Sequence, residues 1–107
     1  MSQEPWELRR YVDKDGRCPF DDWSLSLDPK TRARVETRLG RLRIGNFGDH
    51  KPLGDGVYEL RFFFGAGYRI YYAISGKRVV LLLAGGNKKD QTKDIKTAKR
   101  RWRLDQS

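Results

Sequence analysis

The sequence has little of the chemistry on which small enzymes and small metal-binding proteins often depend. It contains one cysteine and one histidine among 107 residues. The single cysteine, Cys18, cannot form an internal disulfide and is typical of a protein in a reducing cytoplasm. The single histidine, His50, excludes acid–base catalysis by a pair of histidines. Neither residue stands at metal-ligand spacing with the scattered carboxylates, so we expect no metal and no other cofactor.

Long apolar segments are also absent. The longest apolar run covers residues 79–84, far short of the roughly 20 residues that cross a bilayer. Residues 1–10 contain no apolar stretch typical of a signal peptide. A chain of this length supports one hydrophobic core. We therefore expect a single domain over residues 1–107, located in the cytoplasm and not in a membrane.

Negative charge is scarce after the first quarter of the chain. The formal net charge is +9, with a pI near 10.0. Residues 1–27 carry four Lys/Arg and six Asp/Glu, whereas residues 28–107 carry nineteen and eight. Such a surface attracts a polyanion, most often nucleic acid, then an acidic protein, then an anionic membrane. The alternative is a surface that is basic only for solubility.

Alternating and helical apolar patterns divide the chain into seven elements. Asp28 followed by Pro29 predicts a helix start, and Asp90 is the expected cap of the last helix. The predicted strand at 78–84 is apolar almost without interruption, so it should be covered on both faces or lie in the middle of a sheet. The pattern predicts an α+β domain of order β-α-α-β-β-β-α, with an antiparallel sheet packed by helices. The predicted strands are 6–12, 57–64, 68–74 and 78–84, the helices are 19–27, 29–44 and 91–104, and 45–56 is a loop.

Two arginines and two aromatic residues share one face of the predicted hairpin. A three-residue loop at 65–67 places Phe63 opposite Arg69, and Arg61 opposite Tyr71. The two arginines are then diagonal neighbours that can grip phosphate, and the two rings offer surfaces for stacking bases. All four side chains point away from the predicted core, so alanine at either arginine should abolish activity without loss of the fold.

Further cations surround this pair. Lys88 and Lys89 follow the last strand, whose end should lie beside Arg69. The alternative is a set of unrelated solvated charges on an open sheet face. The outer surface of the second predicted helix adds a basic stripe that should attract RNA diffusely. It includes Arg34, Arg38 and Arg41.

Three sequence runs resemble the RelE/HigB superfamily of toxins, in particular its phage-related addiction module killer branch. The runs are Gly56-Val57-Tyr58-Glu59-Leu60-Arg61, Gly67-Tyr68-Arg69-Ile70-Tyr71-Tyr72 and Gly85-Gly86-Asn87-Lys88-Lys89-Asp90-Gln91, followed by Asp94-Ile95 and Ala98. The resemblance implies a microbial-ribonuclease-like α+β fold and a toxin that cleaves mRNA, usually on the ribosome. It also implies a cognate antitoxin, typically a helix-turn-helix protein encoded next door.

The resemblance also implies roles for individual residues. Arg61 and Arg69 match phosphate and transition-state ligands, and Lys88 or Lys89 matches the basic residue after the last strand. The best-known members have lysines where this chain has Val57 and Glu59, and a tyrosine where it has Ile95. The general base and acid therefore stay open, with Lys51, His50 and Gln91 as candidates, and His50 is equally a candidate RNA contact.

Two functional hypotheses follow from the sequence, and a third remains open. The first is an endoribonuclease that cuts mRNA by attack of the 2′-OH without a metal. The second is a basic module that binds RNA or the ribosome without cutting, since both activities need the same cations. The third is an interaction protein whose basic helices bind an acidic partner.

Overall fold

The computed structural model describes residues 4–107 and confirms an α+β fold, a mixed five-stranded sheet packed by three helices. The spatial order of the strands is β1-β5-β4-β3-β2. No helix within the described residues is long and apolar enough to cross a bilayer. The elements are β1 (Glu7–Arg10), α1 (Pro19–Ser26), α2 (Pro29–Arg43), β2 (His50–Gly54), β3 (Val57–Arg61), β4 (Arg69–Ile74), β5 (Val79–Gly86), a short 3-10 turn (Lys88–Asp90) and α3 (Gln91–Gln106).

The sheet differs from the predicted one at both edges. At one edge β1 pairs parallel with β5, so the sheet is mixed and not wholly antiparallel. The chain leaves β1, passes through both helices and the hairpins, and returns beside it in the same direction. At the other edge β2 occupies part of the predicted loop and pairs antiparallel with β3. The strand was not predicted because it contains Pro52, and proline is typical of a loop. An edge strand tolerates proline because one side of its backbone needs no hydrogen-bond partner.

Helix starts follow local capping chemistry. Asp28 accepts hydrogen bonds from the backbone N–H of Thr31 at 3.2 Å and from its hydroxyl at 2.6 Å, which confirms the predicted start of α2. At the start of α3 the predicted position is confirmed, since Asp90 is the N-cap residue, but its side chain makes no capping hydrogen bond. The Asn87 side chain instead accepts from the N–H of Asp90 at 3.2 Å and opens the 3-10 turn that leads into α3.

Both faces of the sheet are covered. One face packs against α1 and α2, and the other packs against α3 through Ala98, Ile95 and Trp102. Residues of β5 are buried on both faces, as its apolar run predicted. The odd-numbered face of β3 and β4, expected to be open, therefore lies largely beneath α3. Only the end of this hairpin extends beyond the helix and carries accessible cations.

Candidate functional site

The two arginines of the hairpin lie directly opposite each other. Arg61 pairs with Arg69 in the β3–β4 register, and Glu59 pairs with Tyr71. The predicted diagonal register was wrong because β3 ends at Arg61 and the loop begins earlier than the glycines suggest. The N–H of Phe62 still donates to the carbonyl of Tyr68 at 3.0 Å, which closes the loop just beyond the arginine pair.

The end of the hairpin forms a cavity of about 470 Å³, called here the hairpin cavity. The N–H of Lys88 donates to the carbonyl of Ala66 at 3.2 Å and holds the lysine beside the loop. Phe63 is 80% exposed and offers a free ring at the rim. Lys89 is exposed on the 3-10 turn and does not line the cavity. The lining residues are Arg61, Arg69, Lys88, Phe62, Phe63, Phe64, Gly65 and Gly67.

Arg61 is held at one edge by Asp49. Its Nε and Nη2 atoms donate to the two carboxylate oxygens at 3.1 and 3.3 Å. The guanidinium carbon also lies 5.6 Å from the centre of the Phe63 ring. The hydrogen bond and the charge of Asp49 raise the pKa of Arg61, so it stays charged. Both side chains are about one-third exposed, at 35% for Arg61 and 37% for Asp49, so this pair remains in contact with water.

Arg69 is held much more tightly. Its Nε donates to Oε1 of Glu59 at 3.1 Å, and its Nη1 donates to the carbonyl of Gly67 at 2.9 Å. The Arg69 side chain is 12% exposed and that of Glu59 is fully buried. Removing Arg69 would leave a buried carboxylate without its main partner. We therefore expect alanine at position 69 to destabilise the fold, whereas alanine at the partly exposed Arg61 should still leave it intact.

The sequence did not identify Glu59, yet three predicted catalytic residues contact it. Gln91 Nε2 donates to Oε1 at 3.0 Å, and Lys51 Nζ lies 3.7 Å from Oε2. These residues and Arg69 are called here the Glu59 cluster. The apolar run of β5 was the sequence signal that could have shown Glu59 to be buried. A strand that is covered on both faces lies in a sheet that is covered on both faces, so the odd-numbered face of the neighbouring β3 and β4 had to be covered too.

Tyr71 cannot serve as a stacking surface for bases. Its side chain is fully buried beneath α3, which overturns the prediction made from strand alternation. Burial, with the nearby charge of Glu59, raises the pKa of Tyr71 far above its ordinary value, so the hydroxyl stays protonated. The aromatic contact available at the hairpin is therefore Phe63.

A second depression of about 480 Å³, called here the α2 groove, lies between α2 and the β3–β4 loop. It shares Arg61 and the run of three phenylalanines with the hairpin cavity, so the two surfaces are continuous. The guanidinium of Arg34 lies 4.4 Å from the centre of the Phe64 ring. The residues that line the α2 groove are Lys30, Ala33, Arg34, Thr37, Arg38, Arg41, Asp49, Arg61, Phe62, Phe63 and Phe64.

Arg38 lines this groove but mainly holds its structure together through hydrogen bonds to the backbone. It donates to the carbonyls of Arg61 and Asp49, both at 2.9 Å, and burial lowers its pKa. It thereby ties α2 to the segment that positions Asp49 beside Arg61. Arg34 and Arg41 line the same groove and are exposed, so both are accessible to an anion.

His50 lies outside both depressions. Its Nδ1 is 3.1 Å from the hydroxyl of Tyr72, and its ring centre lies 5.7 Å from that of Phe47 and 6.2 Å from that of Tyr58. None of the three residues predicted as general base or acid, Lys51, His50 and Gln91, lines the hairpin cavity, and Lys51 and Gln91 contact Glu59 instead. Within residues 4–107 no three His, Cys, Asp or Glu side chains are grouped as a metal site would require.

Comparison with known proteins supplies one family and one relative. Residues 22–103 match the family described as "Phage derived protein Gp49-like (DUF891)". A protein of Haemophilus influenzae, described as "Uncharacterized protein", is 46% identical over 81 residues, which cover 75% of this chain and 82% of that protein. The family match spans the α2 groove, the hairpin cavity and the Glu59 cluster.

Proposed function

Because this chain belongs to the phage-derived Gp49-like family, which is related to the toxins of toxin–antitoxin systems, we propose that it is such a toxin and acts as an endoribonuclease. One observation carries the enzymatic part of this proposal. Two opposed arginines, each held by its own carboxylate, and Lys88 all line one cavity. That arrangement suits a phosphodiester whose negative charge increases during the reaction.

RNA supplies its own nucleophile in the 2′-OH. The enzyme must align this hydroxyl with the phosphorus and stabilise the extra charge of the transition state. Arginine suits the second task because it stays charged and presents a planar fork of donors. Asp49 binds the Nε and Nη2 edge of Arg61, which leaves Nη1 for a phosphate in the cavity. Glu59 binds Nε of Arg69 and the carbonyl of Gly67 binds Nη1, which leaves Nη2 for the same purpose. Lys88 is the candidate for proton transfer or for a third contact to phosphate.

The RNA strand on either side of the cleaved bond would follow the continuous basic surface. The exposed ring of Phe63 offers a stacking platform for a base next to the phosphate. Arg34 and Arg41 in the α2 groove would then bind the adjoining backbone. Translated mRNA in the ribosomal A site is the proposed substrate, since the scarcity of acid–base groups favours a mechanism in which the ribosome helps to shape the RNA.

The proposed partner is an antitoxin encoded by the neighbouring gene, with a helix-turn-helix domain. It would present carboxylates to the basic surface, so association should be fast and sensitive to salt. The proposed location is the cytoplasm, where translated mRNA is available.

Brief expression of the protein in a bacterial host, followed by primer extension on cellular RNA, tests the proposal. We expect growth arrest and breaks at fixed positions within translated codons, both suppressed when the neighbouring gene is co-expressed. Arg61→Ala should remove both effects. Arg103→Ala is the matched control, because Arg103 is exposed and lies about 18 Å along α3 from Gln91.

The rival hypothesis, a basic module that binds RNA or the ribosome without cutting, makes a different prediction in the same experiment. It predicts growth arrest without new RNA ends, and a loss of toxicity that follows total positive charge. Equal effects of Arg61→Ala and Arg103→Ala would favour this rival. Harmless expression of folded protein in its native host without a partner would contradict the toxin proposal itself.

A further inference from the structure

Glu59 is a charged residue in the interior of the sheet. Its side chain is fully buried in β3, opposite the buried Tyr71 and beneath α3. A buried ion pair loses hydration that its attraction only partly restores, and an apolar residue of similar volume is often equally stabilising. Stability alone therefore gives no physical reason for a carboxylate at this position. A buried carboxylate does fix the direction of the groups that donate to it.

Arg69 receives its direction from this carboxylate. Glu59 Oε1 accepts from Arg69 Nε at 3.1 Å, while the carbonyl of Gly67 accepts from Nη1 at 2.9 Å. These two bonds engage Nε and Nη1, which donate in different directions, and leave Nη2 without a hydrogen bond to residues 4–107. Because the side chain is only 12% exposed, few other orientations are available to it. Arg69 therefore faces the hairpin cavity in one preorganised geometry.

The same oxygen also anchors the start of α3. Gln91 Nε2 donates to Oε1 of Glu59 at 3.0 Å, and Gln91 is the first residue of α3. The 3-10 turn immediately before it carries Lys88, the other cation near Arg69 in the cavity. Glu59 thus connects two segments, β4 and the turn before α3, that each supply one cation to the site. Lys51, which is half-exposed, lies near Oε2 and contributes compensating charge.

We propose that Glu59 is the positioning residue of the site, acting on catalysis through Arg69 and through the turn that carries Lys88. This inference rests on the proposed endoribonuclease function. Glu59 itself touches no substrate, because it is buried. Its role is to keep the guanidinium aligned with the developing charge, where a misplacement of 1 Å can cost about 10²-fold in rate.

The test is steady-state cleavage of a short translated mRNA on purified ribosomes. Glu59→Gln keeps the shape but removes the charge, and Glu59→Asp keeps the charge but withdraws it by one methylene. We expect kcat to fall about 10–100-fold in each variant with KM nearly unchanged, since ground-state binding uses other residues. Glu7→Gln, an exposed glutamate on β1 at the far edge of the sheet, is the matched control and should behave as wild type.

A double-mutant cycle with Arg69→Lys distinguishes positioning from general stability. If Glu59 acts through Arg69, Glu59→Gln should cause little further loss of kcat once Arg69 is lysine. Thermal midpoints identify a temperature at which every variant is folded, and Glu59→Asp serves if Glu59→Gln does not fold. Wild-type kcat in folded Glu59→Gln or Glu59→Asp, or fully additive losses, would overturn the inference. Absence of cleavage by the wild-type protein would instead refute the proposed function, and this inference with it.

Discussion

Replacing Arg69 with alanine is expected to destabilise the protein far more than replacing Arg61, although the two residues face each other across β3 and β4. The difference lies in the carboxylate that each leaves behind. Asp49, the partner of Arg61, is 37% exposed and can be hydrated when the arginine is removed. Glu59, the partner of Arg69, is fully buried and cannot.

The size of the effect follows from this burial. Breaking a buried ion pair by removing one partner typically costs about 3–5 kcal/mol. Gln91 and Lys51 remain near Glu59 and compensate in part, so we expect the lower end, about 3 kcal/mol, for Arg69→Ala. For a domain of this size that corresponds to a fall in Tm of roughly 12–24 °C. Arg61→Ala should leave the free energy of unfolding close to that of wild type.

Urea denaturation followed by circular dichroism measures both free energies of unfolding. The double variant Arg69→Ala/Glu59→Gln serves as the internal check. Removing the charge of Glu59 relieves the penalty, so the double variant should be more stable than Arg69→Ala alone. Equal free energies of unfolding for Arg61→Ala and Arg69→Ala would show that the buried charge of Glu59 is not the cause, as would a double variant less stable than either single one.

Three further predictions concern stability away from the site. Hydrogen bonds from Thr31 lower the pKa of the Asp28 carboxyl. The stabilisation that this carboxylate provides is therefore present at neutral pH, and it is lost as the pH falls through the lowered pKa. The Tm difference between wild type and Asp28→Ala should shrink accordingly on acidification, and a constant difference would contradict this. Gly56→Ala should lower Tm, because φ is +81° and the new Cβ would lie 2.8 Å from Nε1 of Trp102; an unchanged Tm would show that the turn adapts freely. Trp102→Ala should lower the free energy of unfolding by less than the roughly 3–5 kcal/mol lost at a fully buried tryptophan, because Trp102 is only partly buried. An unchanged free energy of unfolding in urea would mean that Trp102 does not anchor α3.

Local sequence signals predicted most elements and failed where long-range packing decides. The start of α2 was predictable because Asp28 and Pro29 act within one turn. β2 was not, since Pro52 is typical of a loop and becomes acceptable only at a sheet edge. The hairpin register also depended on where β3 ends, and no residue type marks Arg61 as its last residue.

The candidate site was predictable in its residues but not in its arrangement. Arg61, Arg69 and Lys88 were identified from the order of the strands, and they do line one cavity. The carboxylates that hold the arginines were missed, because strand alternation assigned Glu59 to an open face. That face is covered by α3, and the only sign of this cover in the sequence was the apolar run of the neighbouring strand β5. The same error made Tyr71 a surface residue in the prediction.

The proposed reaction is cleavage of RNA by attack of the 2′-OH at the arginine-lined cavity. The most direct test is the chemistry of the ends produced when purified protein and ribosomes act on a defined mRNA, with transition metals chelated and Mg²⁺ retained for the ribosome. We expect a 2′,3′-cyclic phosphate or 3′-phosphate on the upstream fragment, and no cut at a site where the nucleotide supplying the 2′-OH is replaced by its 2′-deoxy form. A 3′-hydroxyl end, or continued cleavage at the 2′-deoxy site, would contradict this mechanism.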